Sequence, residues 1–144
     1  DNEYTVRADA RRFENWERYF AGVIGLKAAI DQANELGMDA VWGRLRTLAD
    51  GLRARLATVK GVTPTDLGQV KGAIVTFAVD GHDHAALKAK LRAQAINVTV
   101  STQFSSRLDL EGRGLKDVMR ASVHVYNTEE ELDRFVAALA KLVA

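Results

Sequence analysis

The sequence contains no cysteine and only one proline among its 144 residues. Without cysteine, the chain can form no disulfide, no thiolate metal site and no catalytic thiol. No apolar run approaches the roughly 20 residues that a membrane-spanning helix needs, and no signal-peptide pattern opens the chain. The 20 basic and 19 acidic residues nearly cancel, so neither nucleic acid nor a membrane is indicated as a partner. These absences favour a cytoplasmic protein.

The length and the hydrophobic fraction of 47% predict one domain with a sizeable core. Tyr19, Val23, Leu26 and Ile30 recur at helical spacing and predict a long helix over residues 15–36. Gly37 is a residue that typically ends such a helix. A second helix is predicted over 40–58, with its arginines on a solvated face (Arg44, Arg46, Arg53 and Arg55).

The rest of the chain alternates between short strands and helices. Strands are predicted at 62–63, 72–79, 95–100 and 119–125, with helices at 84–94 and after Thr128. Thr128 and Glu131 form a capping-box pattern, and residues 101–116 are expected to be irregular. This order predicts an α+β fold with a small, mostly antiparallel sheet, helices packed on one face, and a long helix preceding it.

The strand at 119–125 carries an unusual polar face. Met119, Ala121, Val123 and Val125 fall on one side, and Arg120, Ser122, His124 and Tyr126 fall on the other. An arginine beside a hydroxyl and an imidazole suits the bidentate capture of a carboxylate. An arginine on a solvent-exposed sheet face is the alternative, and the residues alone leave both interpretations open.

Other chemical motifs are weak. His82 and His84 flank an acid, but no further ligand pair has a matching spacing, so a metal site is not favoured. The stretch 111–114 has two glycines but lacks the context of a phosphate-binding loop. A Ser-His-Asp triad from His124 and Asp109 would be an arbitrary choice among many serines.

Two stretches near the C-terminus resemble a known family. Arg120-Ala121-Ser122, followed by Tyr126-Asn127-Thr128 and the acidic start of the last helix, is similar to the C-terminal signature of class V aminotransferases. These are fold-type I enzymes that use pyridoxal 5'-phosphate. Arg12-Phe13-Glu14 resembles a segment of the same family, and the resemblance extends over roughly residues 11–143.

The resemblance assigns the chain to the C-terminal part of such an enzyme. Residues 1–14 would be an extended lead-in from a missing large domain, 15–36 a long connecting helix, and 37–144 the small α+β domain. Arg120 matches the arginine that binds the α-carboxylate of the amino-acid substrate. Tyr126, Asn127 and Thr128 match a strand-to-helix corner with a structural role, and the complete enzyme is expected to be a homodimer.

The cofactor lysine is expected outside this chain. In the family, pyridoxal 5'-phosphate forms a Schiff base with a lysine of the large domain. None of the seven lysines here occupies such a motif (Lys27, Lys60, Lys71, Lys88, Lys90, Lys116 and Lys141). We therefore expect no covalently bound cofactor and no turnover by this chain alone. A stand-alone, non-catalytic binding module derived from the domain is the alternative.

Two departures from the family pattern bear on the reaction. Glu17 stands where many members have a threonine that contacts the cofactor phosphate, and a carboxylate would repel that phosphate. The loop 101–116 lacks the cysteine that desulfurases carry there. Both features resemble the isopenicillin N epimerase-like branch, which includes epimerases, lyases and aminotransferases. The sequence does not choose among these reactions.

Overall fold

A computed structural model describes residues 3–14 and 17–144. The chain divides into two compact units, one ending at Met38 and the other beginning at Asp39. Within the described residues, no helix is both long enough and apolar enough to cross a membrane.

The first unit contains one short turn and one long helix. A 3-10 turn, Ala10–Phe13, interrupts the lead-in that was expected to be extended, and the Asp9 carboxylate caps it by accepting the Arg11 N–H at 3.0 Å. Helix α1 spans Phe20–Leu36 and ends at Gly37, whose φ of 80° favours glycine. The helix therefore begins later than the predicted residue 15. Residues 17–19 are not helical, and residues 15 and 16 lie outside the described ones.

The second unit alternates helices and strands around one sheet. Apart from the first residue of α2, it contains α2 (Met38–Ala57), β1 (Val62–Pro64), β2 (Ile74–Val79), α3 (His84–Arg92), β3 (Thr99–Thr102), α4 (Arg107–Gly112), β4 (Asp117–Ser122) and α5 (Glu129–Val143). The four strands lie in the order β1-β2-β4-β3, and all neighbours are antiparallel. The predicted α+β class with a small antiparallel sheet is confirmed.

The main core lies on one face of this sheet. Side chains of α2, α3 and α5 pack there against alternate residues of the strands (Leu48, Leu52, Leu56, Val75, Phe77, Leu87, Leu91, Met119, Ala121, Leu132, Phe135 and Leu139). The rings of Phe77 and Phe135 have centroids 6.1 Å apart. The predicted packing of helices on one face follows from this alternation, because every second residue of a strand points to the same side.

Two helix starts follow the predicted capping chemistry. Asp83 caps α3 by accepting the Ala85 N–H at 2.9 Å. At α5, Thr128 Oγ1 accepts the Glu131 N–H, and the Glu131 carboxylate accepts the Thr128 N–H, which completes the capping box. Three acidic residues occupy the first turn of α5, where the helix dipole favours negative charge.

Three further predictions, all in the second unit, were wrong. Strand β3 begins at Thr99 rather than at residue 95, and Ala95 has a φ of 57° that an extended strand does not adopt. Residues 101–116 are not wholly irregular, since they contain the end of β3 and all of α4. Strand β4 ends at Ser122, earlier than the predicted residue 125.

Candidate functional site

Arg120 lies in the middle of the sheet, on the face opposite the main core. Its strand neighbours Met119 and Ala121 are buried in that core, so the side chain of Arg120 points to the other side. The register places Thr76 of β2 on one flank and Thr99 of β3 on the other. We call the face that carries Arg120, Thr76, Thr99, Val118 and Ser122 the outer face.

The guanidinium of Arg120 lacks a protein partner within the part of the chain that the structure describes. Its Nε is buried and makes no hydrogen bond. No ion pair among the described residues involves it, although ten other ion pairs are present there. A buried donor without an acceptor costs about 1–3 kcal/mol. Such a donor is typical of a site that an external anion completes.

The rest of the predicted polar face does not continue along the strand. Ser122 ends β4 and is exposed, whereas His124 and Tyr126 lie in the turn that leads to α5. The two rings stack on each other, with centroids 4.5 Å apart and an angle of 25°. The early end of the strand thus separates His124 and Tyr126 from the row of Arg120.

The corner between β4 and α5 is held by side-chain hydrogen bonds. Asn127 Oδ1 accepts the His124 N–H at 2.8 Å, and its Nδ2 donates to Glu131 at 2.9 Å. That bond from Asn127 is the main reason why the pKa of Glu131 is lowered. These contacts fix the direction in which the chain leaves β4, so Asn127 and Thr128 have structural contacts.

An arginine of α2 also forms hydrogen bonds to this corner. Arg44 Nη1 donates to Glu129 at 2.6 Å, and Nη2 donates to the Asn127 carbonyl at 2.8 Å. The hydrogen bond from Arg44 holds the pKa of Glu129 below its ordinary value.

The prediction that the α2 arginines form a solvated face was therefore wrong for three of them. Besides Arg44, Arg55 pairs with Asp133 at 2.6 Å. Arg53 is only 11% exposed and pairs with Asp66 at 2.7 Å. Helical spacing predicts which side of α2 is polar, but the acceptors lie far along the chain, and that spacing does not locate them.

His84 is the residue that sequence reasoning missed most clearly. It is buried, and its Nε2 accepts the Val79 N–H at 3.0 Å. Its Nδ1 therefore carries the proton and donates to Asp117 at the start of β4. These two hydrogen bonds connect α3 to β2 and to β4. The sequence offers no signal for it, because Asp117 is 33 residues away.

The weaker motifs are not assembled. His82 bonds to the Asp80 carbonyl at 2.8 Å, and Asp109 pairs with Arg113 at 3.1 Å. Within residues 3–14 and 17–144, no group of three His, Cys, Asp or Glu side chains could hold a metal. The described residues therefore give neither a metal site nor a Ser-His-Asp arrangement.

The chain's lysines do not form a site for covalently held pyridoxal phosphate. Six of the seven are exposed, and Lys71 is half-buried; Lys27 pairs with Asp31 on the surface of α1. A lysine that forms a Schiff base is activated by desolvation or by neighbouring cations. None of these surroundings provides a shielded position, so the anchor for this cofactor does not fit any lysine described here.

The chain belongs to the aminotransferase class-V family, whose model matches residues 2–135. It is 34% identical over 134 residues to a probable cysteine desulfurase of Xylella fastidiosa, which covers 91% of this chain and 31% of that protein. It is 31% identical over 131 residues to a cysteine desulfurase of Salmonella agona, with 91% and 32% covered. The chain thus spans about a third of the length of the relatives it matches.

Solved structures show the same fold. An apo cysteine desulfurase from Thermococcus onnurineus superimposes with a TM-score of 0.82 at 25% identity, covering 97% of this chain and 35% of that one. A C-DES variant with glycine covalently linked to the PLP cofactor gives a TM-score of 0.69 at 23% identity, with 90% and 31% covered. The predicted family and its cofactor are confirmed at this level. The isopenicillin N epimerase-like branch stays a prediction.

Proposed function

We propose that this chain supplies Arg120 as the substrate-carboxylate anchor of a pyridoxal-phosphate-dependent class-V enzyme that acts on an amino acid. The observation that carries the proposal is the buried, unpartnered Nε of Arg120, which lies at the arginine of the family signature. A carboxylate would give this donor an acceptor and would neutralise the guanidinium. Arg120 is thus part of a binding site that the substrate completes.

The strand geometry determines what Arg120 can do chemically. A guanidinium offers two parallel N–H groups that match the two oxygens of a carboxylate. Because β4 is bonded on both sides, to β2 and to β3, the arginine is held on a rigid element. Its flanking residues Thr76 and Thr99 are neutral and do not compete for the charge. The substrate would therefore be held by one end and oriented for reaction at its α-carbon.

The cofactor belongs outside this chain in this proposal. The surface lysines described above do not fit it, so the chain's own part in the reaction is to bind and orient the substrate. We propose that the complete protein is a cytoplasmic homodimer with pyridoxal phosphate in another domain.

The reaction class proposed is epimerisation, lyase-type bond cleavage or transamination of an amino acid. Cysteine desulfurases are the relatives described above, but the segment 101–116 contains no cysteine. A persulfide-forming thiol would therefore have to come from another part of the protein. This observation favours a reaction in which the loop takes no covalent part.

The test uses the full-length gene product that contains this chain, reconstituted with pyridoxal phosphate. The twenty standard L-amino acids are titrated while the cofactor absorbance is followed, and the tightest ligand is compared with the amine that lacks its carboxylate. Arg120→Ala should weaken the amino acid about 10- to 100-fold, since a charged hydrogen bond contributes about 1.5–3 kcal/mol. Binding of the amine should not change.

Two controls make the result specific. Arg120→Lys should recover only part of the affinity, because an ammonium cannot make the paired bonds of a guanidinium. Arg107→Ala changes an exposed arginine of α4 and should have no effect. Equal loss for the amino acid and the amine would contradict a carboxylate role for Arg120.

The same preparation distinguishes the alternative module. A full-length protein that never develops a cofactor spectrum would support a non-catalytic binding protein. A borohydride-stable adduct on one particular lysine of this chain would contradict the placement of the cofactor anchor elsewhere.

A further inference from the structure

Residues 103–116 form an excursion between β3 and β4 that is closed at its base. The Gln103 N–H donates to the Lys116 carbonyl at 3.1 Å, and its side-chain amide donates to the Leu115 carbonyl at 3.0 Å. Helix α4 lies within the excursion. Its Leu110 is buried but does not belong to the main core cluster.

Val118 shows where this excursion lies. It is on the outer face of β4, two residues before Arg120, and it is buried although it does not belong to the main core. Among the described residues, Leu110 and Val118 are the two buried apolar side chains that the main core does not include, as packing of α4 on the outer face would require. We infer that α4 covers the end of the outer face next to Arg120.

Arg113, at the C-terminal end of α4, links this segment to the residue that follows β1. Its Nη2 donates to the Thr65 carbonyl, 48 residues away, and its Nη1 donates to Asp109 at 3.1 Å. The side chain is only 24% exposed. Thr65 directly follows β1 at one edge of the sheet, whereas Arg113 lies in the segment that leads into β4, so this contact connects the segment to the β1 side of the sheet.

Thr65 in turn is bonded to the row that contains Arg120. Its N–H donates to the Thr76 carbonyl at 2.8 Å, and the two threonine hydroxyls are 3.0 Å apart. Thr76 lies opposite Arg120 in the register of β2 and β4. Arg113 is therefore linked to the immediate neighbour of Arg120 through two consecutive contacts.

We propose that Arg113 is a positioning residue that holds α4 across the outer face and so shapes the wall beside Arg120. This inference rests on the proposed function for its effect on substrate. The effect on α4 itself does not depend on that function. Asp109 orients the guanidinium, and the acceptor is a backbone carbonyl, so both hydrogen bonds require the fork of an arginine.

The experiment compares Arg113→Ala, Arg113→Lys and Arg107→Ala in the full-length protein loaded with pyridoxal phosphate. Arg107 is the matched control, because it lies on the same helix and is exposed, with Glu111 as its partner at 2.9 Å. Hydrogen exchange should become about tenfold faster in peptides covering 103–116 of Arg113→Ala, because that segment opens more easily. Peptides from α5 should not change.

A second readout concerns the substrate. With the amino-acid and amine pair defined above, Arg113→Ala should weaken the amino acid about tenfold through misplacement of the site, and the amine much less. Arg113→Lys should lie between wild type and alanine in both readouts. Added guanidinium ion should recover part of the loss in Arg113→Ala only.

The outcomes separate the two proposals. Unchanged exchange in 103–116 of Arg113→Ala would overturn the positioning role. The positioning role would also be overturned if Arg113→Ala showed faster exchange but unchanged amino-acid binding, in a protein whose Arg120→Ala variant does lose amino-acid binding. If Arg120→Ala has no effect on the amino acid, the proposed function fails, and faster exchange in Arg113→Ala still supports the hold on α4.

Discussion

The two faces of β4 differ in whether their side chains find partners within the described part of the chain. On the inner face, Met119 and Ala121 are enclosed by side chains from three helices. On the outer face, Arg120 has a buried Nε that finds no acceptor among residues 3–14 and 17–144. Both faces belong to the same six residues of one strand, so neighbouring positions serve different purposes.

The difference teaches where stability and function are separated in this domain. Burial of apolar area on the inner face contributes roughly 25 cal/mol per Å² to stability. A cavity in this core lowers the free energy of unfolding further. The outer face contains a buried donor that has no acceptor among the described residues, and such groups are uncommon in folded proteins. Substitutions on the inner face should therefore change mainly the free energy of unfolding, whereas substitutions of Arg120 should change mainly ligand binding.

The largest effect should follow from a cavity in the inner face. Phe77→Ala removes a fully buried ring that packs against Phe135 and should lower the free energy of unfolding by about 3–5 kcal/mol. The measurement is urea denaturation followed by circular dichroism. Ile74→Ala on the outer face of the same strand, where the side chain is half exposed, should cost about 1 kcal/mol or less. Equal losses would abolish the distinction between the faces.

An intermediate effect of opposite sign is expected at Arg120. Arg120→Leu removes the unpartnered buried Nε and should raise the free energy of unfolding by about 1 kcal/mol, while it abolishes recognition of the carboxylate. Arg46→Leu, on an exposed part of α2, should change stability by about 0.5 kcal/mol or less. A clear loss of stability in Arg120→Leu would show that the arginine stabilises the fold.

The smallest effect is a pH dependence at the corner beyond β4. Because Arg44 lowers the pKa of Glu129 in the folded chain, the pair stabilises the fold above the ordinary carboxyl pKa. That contribution is lost as the pH falls through the lowered value. Between about pH 5 and pH 3, wild type should thus lose stability more steeply than Glu129→Gln. Glu130→Gln is the control, and added salt should reduce the difference. Parallel curves would contradict a role for the pair.

Local chemistry in the sequence predicted much of the fold. The Asp83 cap and the Thr128–Glu131 capping box join residues that are at most three positions apart. The local sequence is therefore enough to predict them. The alternation of Met119, Arg120 and Ala121 likewise depends only on the geometry of a strand. The predicted start of β3 failed at Ala95, whose positive φ is uncommon for a residue other than glycine.

The candidate site was predictable in part. The family signature identified Arg120, and strand alternation predicted a face that the core does not use. His124 and Tyr126 were assigned to that face wrongly, because β4 ends at Ser122 and Asn127 turns the chain. Arg113 was not singled out for its role, since its acceptor is a carbonyl 48 residues away.

By itself, the sequence determined the order of helices and strands apart from α4, the capped starts of α3 and α5, and the identity of the carboxylate-binding candidate. These depend on periodicity and on contacts between near neighbours, which a linear pattern contains. Only the tertiary structure decided that Arg120 has no partner among the described residues, that three arginines of α2 are paired, and that His84 bonds to Asp117. Each of these depends on which distant residues the sheet order brings together, and that order is a property of the folded chain.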